Sequence, residues 1–313
     1  MATVAQIPAE RAHAARPGTA LRRRLGADWH LGYLFVLPMV VMVLALVAYP
    51  FCYAAYLSLT RKYVGVPPVF VGFENYVRLA YDGFFRRAVW NSFVFTFASV
   101  GFKLVLGMVM ALVLTSRIRY RNLFTGLLLI PWVAPTVVSA LNFLWIFDAS
   151  LGVLNYLLVK VFRILPQGVG WLSEASTAMA SVIFVNVWRG FPFFGVSFLA
   201  AMQTVPQELY DAAAVDGAGS WEKFWRITLP SMKGVVAVVT LLSTIVTLND
   251  FNIVYIMTRG GPGAATHIFA TYSYELGIMS QRWGLAMAAS MASLPLVALL
   301  IIGVVRYLHR EEE

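Results

Sequence analysis

Polar side chains that interrupt long apolar runs are the groups in this sequence with chemistry to offer. Asn249, Asp250 and Asn252 stand together in the outer half of one such run, with Tyr255 one turn from Phe251. Arg189 follows Trp188 midway along another run, and Lys103 lies deep inside a third. Asn142 and Trp145, three residues apart, share one face of a helix. Charged groups at such depth are expensive and mark function by default. Carboxylates and amides give a hydroxylated solute acceptors and donors, and an aromatic face lies against its ring. The other use of the same groups is to join helices by hydrogen bonds. Arg189 has three outcomes open to it: pairing with Asp250, binding an anionic group, or reaching an interface. Lys103 is too far from either end of its run to reach water, so it needs a buried partner.

Covalent chemistry has no such footing. There is no GxxxxGK[ST] phosphate loop, GxSxG elbow, HExxH or CxxC in the chain. His13, His30, His267 and His309 are scattered, which gives no metal site. Cys52 is the single cysteine; it forms no internal disulfide and reads as a small packing residue.

The elements that must position these groups are membrane-spanning helices. The chain is 60% hydrophobic and only 12% charged, against about 25% charged in soluble domains. A helix crosses the hydrocarbon core with roughly 20 apolar residues. Six stretches qualify: Leu31–Leu59, Ala88–Ser116, Asn122–Phe147, Ala175–Val205, Gly234–Thr258 and Gly284–Val305. The first is too long for a signal peptide and reads as an uncleaved span. The expected class is an all-α membrane protein with six transmembrane helices.

The formal charge of +9 does not point to nucleic acid, because the basic residues are scattered over ends and loops without a recognition motif. It orients the chain instead. Arg22, Arg23 and Arg24 precede the first span, and Arg117, Arg119 and Arg121 crowd one short turn. The positive-inside rule therefore places both termini in the cytoplasm, on the same side as residues 204–232. Residues 1–28 read as a disordered basic arm and 309–313 as an acidic tail. Residues 29–87 hold the first span and an outer loop, and 88–308 a core of five spans. In the second outer loop, Leu151, Leu154, Leu157, Leu158, Val161 and Phe162 recur at helical spacing. They give a short helix along the outer interface or packed on the spans.

The cytoplasmic segment Asp211–Pro230 reads as two short helices about a glycine turn. Pro206 suits the first turn of the first helix, and Glu208 and Asp211 complement its N-terminus. Gly217 is placed for a left-handed cap. Ser220 is the expected cap of the second helix, whose Trp221, Phe224, Trp225 and Thr228 form one stripe, and Pro230 is expected to stop it. By physics alone this is a hairpin resting on the membrane or a docking element.

The segment resembles the cytoplasmic EAA loop of binding-protein-dependent ABC importer permeases, EAA-x3-G-x9-I-x-L-P. Asp211, Ala212 and Ala213, then Gly217, then Ile227, Leu229 and Pro230 keep its spacing, with Asp211 in place of glutamate. The run from Pro192 into the loop and FNIVYIMTRGGPG, from Phe251 to Gly263, are similar to the carbohydrate-uptake group related to the maltose and glycerol-phosphate permeases. Where relatives carry an aspartate after the phenylalanine, this chain has Asn252, and its acid is Asp250.

The resemblance implies a type I ABC importer permease fold with cytoplasmic termini, in a bacterial inner membrane. It implies a coupling loop, including Trp221, that docks on an ATPase, and an outer Gly260-Gly261-Pro262 turn facing a binding protein. The partners it implies are a second, homologous permease, an ATPase dimer and an extracytoplasmic solute-binding protein. The chain itself would hold no cofactor and catalyse nothing; ATP and Mg would be bound by the ATPase. The expected function is a sugar or polyol permease subunit. The alternatives are a permease of the same superfamily for another solute, an ion-coupled carrier, which has no use for the EAA spacing, and a membrane-bound enzyme, for which no catalytic constellation exists.

Overall fold

The computed structural model describes residues 29–116 and 119–309. The basic arm, Arg117 in the arginine-rich turn and residues 310–313 of the acidic tail lie outside the described residues. Two compact units divide the chain at Ala54 and Ala55. The first unit holds most of helix α1, which runs as Trp29–Val43, a widened turn Leu44–Ala48 and Tyr49–Ser58. It is apolar all round, and Phe35 and Leu46 are among many exposed side chains along it, as suits a helix whose solvent is not water. Cys52 is exposed there, so the expectation that it packs is not met.

The second unit opens where a loop was expected. Thr60–Arg61 (β1) pairs antiparallel with Val69–Phe70 (β2), and Glu74–Tyr81 forms helix α2. The sequence hid this because the strands are two residues long. Asn75 holds the hairpin from below, donating to the carbonyls of Ser58 and Thr60, both at 2.8 Å.

Helix α3, Gly83–Thr115, is the longest element, at 33 residues. It begins earlier than its apolar run because Asp82 caps it, accepting from the N–H groups of Phe84 (2.8 Å) and Phe85 (3.2 Å). The other Asp82 oxygen accepts the hydroxyl of Tyr272 at 2.8 Å. That bond and burial push the Tyr272 phenol above its usual range, burial contributing most.

The third expected span is not one helix. Arg121–Val133 (α4) and Thr136–Ile146 (α5) meet at 92°. Pro135 lies between them and forces Ala134 into an extended conformation, ψ 132°. The apolar run was legible and the corner was not. Beyond it, Val153–Asn155 and a wide turn Tyr156–Val161 make α6, where the loop periodicity placed a helix. Asn155 organises that loop through Ala149, Val169 and the indole of Trp171.

Helix α7, Ala175–Gln203, packs in parallel on α3 along a seam of glycines. Gly107 faces Phe194, Gly195 faces Met110 and Gly190 faces Lys103, each so closely that an added Cβ would displace its neighbour. Small residues at such a seam let two backbones approach and gain dispersion contacts where lipid offers no hydrophobic drive. After α7 come α8, Gln207–Val215, and α9, Ser220–Ser231. Helix α10, Lys233–Leu248, leaves α9 at 69°.

The fifth expected span is also interrupted. Helix α10 ends at Leu248, and α11, Phe251–Thr258, restarts with Asp250 as its N-cap. Helix α12, Phe269–Tyr274 extended by Glu275–Met279, has no counterpart in the sequence reading. It lies against α13, Trp283–Met291, which α14, Leu294–His309, follows. Together the last two form an apolar stretch over Trp283–Tyr307.

Three clusters bury the core. Met110, Leu114, Phe194, Phe198 and Met232 fill the end near α8 and α9. Phe95, Val182, Ile253 and Met257 fill the middle. Leu79, Phe85, Phe269 and Ala288 fill the opposite end.

Candidate functional site

Two places carry the residues that the sequence singles out. The first is the α8–α9 hairpin. Helix α8 begins at Gln207, so Pro206 is its N-cap rather than part of its first turn, and Glu208 lies in that turn. It ends as the sequence requires. Gly217 takes φ 80°, its N–H donates to Ala214 O (3.2 Å), and the N–H of Ala218 donates to Ala213 O (2.8 Å). This pair of reversed bonds closes the last turn.

The second arm departs from expectation twice. Ser220 is its first helical residue, not its cap; Gly219 holds that position, with no side-chain cap bond. Pro230 does not stop it. The helix widens over Phe224–Thr228, runs on through Pro230 to Ser231 and breaks at Met232. Proline has no N–H to give the carbonyl four residues back, and the wider turn relieves that loss. Here the N–H of Leu229 reaches Phe224 O instead.

The aromatic stripe is split between two environments. Trp221, Phe224 and Trp225 touch one another with centroids 5.3–6.1 Å apart. Phe224 packs on the core and Thr228 is buried, while Trp221 is 74% exposed. Val215, beside the turn, is 89% exposed. Asp211, Ala212, Gly217 and Pro230 are exposed, while Ala213, Ile227 and Leu229 are half-buried. Leu229 packs on the core cluster. The Asp211 carboxylate accepts from Gln207 at 3.1 Å within its own helix.

Tyr210, which the sequence reading passed over, ties the arms together, its hydroxyl 3.0 Å from Thr228 Oγ1. Beneath the hairpin lies a cavity of about 840 Å³, lined by Thr115, Met202, Gln203, Tyr210 and Lys223 among others. The hairpin is thus held from inside and presents an apolar, aromatic outer surface.

The second place is the break between α10 and α11. Asn249 is exposed and donates to Ile245 O at 3.2 Å; Asn252 is exposed. Asp250 accepts from Asn186 Nδ2 at 2.8 Å and from the N–H of Ile253 at 3.4 Å. Arg189 does not pair with it: among the described residues no ion pair joins them, and Arg189 Nε is buried without a hydrogen-bond partner. Lys103 does have the buried partner it requires, Thr247 Oγ1 at 3.0 Å. Asn186 and Thr247 are members of this site that the sequence reading missed. Both are ordinary polar residues in apolar helices, and only the packing brings them to the break.

Tyr255 stacks on Phe251 at 4.8 Å, and Tyr274 of α12 joins both, at 4.9 and 5.0 Å. Phe251, Tyr255 and Tyr274 are all half-buried. Trp188 is half-buried and meets Phe143 edge-on at 5.0 Å. Asn142 and Trp145 on α5 are exposed.

Beyond α11 the Gly260-Gly261-Pro262 turn is tied into the fold. Thr266 Oγ1 donates to Gly261 O (2.8 Å), the N–H of Thr266 to Gly260 O (3.1 Å), and Asn91 to Ala264 O (3.1 Å). Gly260 is buried at φ 85°, and Gly263 is the exposed tip. In the other loop of that end, the N–H groups of Leu151 and Ser150 hold the Asp148 carboxyl below its usual range. No cluster of candidate metal ligands occurs among the described residues.

Residues 103–311 match the family described as binding-protein-dependent transport system inner membrane component. The chain is 35% identical over 271 residues to the trehalose/maltose transport system permease protein MalF of Thermococcus litoralis, covering 85% of this chain and 90% of that one. It is 33% identical over 274 residues to the sulfoquinovosyl glycerol transport system permease protein SmoG of Agrobacterium fabrum, covering 85% and 87%. Its fold superposes with a TM-score of 0.80 on a chain of a bacterial ABC transporter involved in import of the acidic polysaccharide alginate. That match is 24% identical and covers 93% of this chain and 99% of the other.

Proposed function

The chain belongs to the binding-protein-dependent transport system inner membrane components, with the type I ABC importer permease fold, and we propose that it is the permease subunit of an ATP-driven sugar importer. It forms half of a translocation pathway beside a second, homologous permease. An ATPase dimer that binds ATP and Mg drives it, and an extracytoplasmic binding protein delivers the solute. The chain crosses a bacterial inner membrane six times, α4 with α5 and α10 with α11 each counting as one span, with both termini in the cytoplasm. Four helices and the bent pair Arg121–Ile146, of suitable length and composition, support five of these spans, and the apolar helices α10 and α11 supply the sixth. The crowding of Arg119 and Arg121 beside the hairpin's end of the bundle supports the orientation. The names of the two relatives support the sugar class.

The observation that carries the reading is the hairpin itself. A cap that positions Gly217, an inner face packed on the core, and exposed Val215 and Trp221 make a rigid knob for a partner in the cytoplasm. ATP closes the ATPase dimer, the knob moves with it, and the helices behind it open the pathway outward. Asp250, Asn249, Asn252 and the Phe251–Tyr255–Tyr274 surface line the solute's route.

Gly217→Val tests the coupling. A side chain in the left-handed region costs about 1–2 kcal/mol, enough to loosen the last turn of α8 without unfolding the bundle. The variant complex should assemble and hydrolyse ATP while uptake of labelled maltose or trehalose by proteoliposomes falls at least several-fold. Uptake equal to wild type at equal expression removes the hairpin from the coupling path.

A further inference from the structure

The break between α10 and α11 is gripped from two sides. On one side Lys103, 4% exposed, reaches across from α3 and donates to Thr247 in the last turn of α10. Its stem fills the slot left by Gly190 on α7; a Cβ there would stand 2.5 Å from Lys103 Cε. On the other side Asn186 of α7 donates to Asp250, the cap of α11. Between the grips lie only Leu248 and Asn249, and the Asn249 amide turns back onto α10.

The grips leave hydrogen-bonding capacity unused. An ammonium carries three donors, and Lys103 directs one to Thr247. Thr96 and Ser99 lie on the same face of α3, and their hydroxyls are buried without a partner, as is Asn186 Oδ1. With spare donors on Lys103 and a spare acceptor on Asn186, the two grips have the means to hold a second arrangement.

We infer that Lys103 and Thr247 are positioning residues for transport: their hydrogen bond ties the end of α10 to α3 and so fixes the resting placement of the break, and the transport cycle passes through an arrangement in which that bond is broken. The functional half of this inference rests on the importer reading; the geometric half does not. Loss of the bond frees the break, and with it the Asn249–Asp250–Asn252 group, from the control of α3.

Thr247→Val and Thr247→Ser in the full chain, purified with whatever subunits accompany it in lipid nanodiscs, separate this role from packing. Valine keeps the volume and removes the acceptor; serine keeps the acceptor and removes a methyl. Amide hydrogen exchange over Leu248–Ile253 should quicken about ten-fold in the valine variant and stay near wild type in the serine variant. Lys103→Met, which leaves Thr247 in place, should match the valine variant and serves if that one fails to fold. The reverse ranking, or no change in any variant, overturns the inference.

The functional arm is ATP hydrolysis by the same preparations without solute, expected to rise several-fold in Thr247→Val and not in Thr247→Ser. Quicker exchange with hydrolysis at the wild-type level overturns the role in coupling. A wild-type preparation with no hydrolysing subunit refutes the importer reading, and the exchange data still judge the grip.

Discussion

The ring of His267 occupies the space where a Gly260 side chain would stand. Its Nδ1 lies 3.2 Å from Thr271 Oγ1, and it meets Tyr272 edge-on. Burial pushes its pKa below the usual value, against a smaller opposing pull from Glu275. The unfolded chain therefore takes up the proton first as pH falls. The contribution of the neutral ring to stability is present above the unfolded pKa of about 6.5 and is lost as pH falls through the folded value. Protection of the amides of Gly260–Ile268 should fall as pH drops from about 7 to about 5, and His267→Gln should remove that dependence. A flat profile in the wild type would show that the ring does not govern the turn. The sequence showed this histidine to be alone. It did not show that the glycine seven residues earlier is the slot it fills.

Capping decides several element boundaries that apolar runs do not. Asp82 starts α3 five residues before the apolar stretch, across Arg86 and Arg87, because its carboxylate answers two orphan N–H groups and the buried Tyr272 hydroxyl. Asp82→Ala removes a cap worth about 1 kcal/mol and strands a hydroxyl, which costs about 1–3 kcal/mol more. Tyr272→Phe in the same background should recover part of the loss. The check is the midpoint of thermal unfolding in detergent; an unchanged midpoint for Asp82→Ala would show that the cap does not hold this end. The α8–α9 turn was legible for the same kind of reason: glycine at a left-handed position is a local signal. The 92° corner at Pro135 and the interruption at Asn249 were only half legible. Proline and paired polar residues mark such places, but whether a span bends or merely tolerates them depends on neighbouring helices that satisfy the freed backbone groups. Helix α12 escaped notice because its apolar residues are buried on several sides and its Glu275 and Ser273 blur any periodicity.

On the scale of the whole chain, the apolar surface that remains uncovered is the dominant fact. Helix α1, the outer faces of α3 and the knob between α8 and α9 all expose large hydrophobic side chains. Such surface calls for lipid and other subunits. Purified alone, it should hydrolyse no ATP, measured by phosphate release; activity that persists through a further purification step would overturn its place as a subunit. The fold class was legible from bulk hydrophobicity, and the family from one twenty-residue motif. What stayed hidden was the polar interior. Lys103, Asn186, Thr247 and Asp250 are separated by up to 147 positions in sequence, and only the packing of α3, α7 and α10 puts them at one level.

The glycine seam between α3 and α7 has a mechanical consequence. Two helices whose backbones interlock at Gly107, Gly190 and Gly195 have little freedom to slide and respond to force as one beam. At about 1.5 Å per residue the 33 residues of α3 make that beam about 50 Å long. The knob is attached at one end of it, so a tilt of about 10° there sweeps the opposite end through about 9 Å, comparable to the width of a sugar ring with its hydroxyls. A small displacement at the knob end is therefore geometrically equivalent to a large one at the far end.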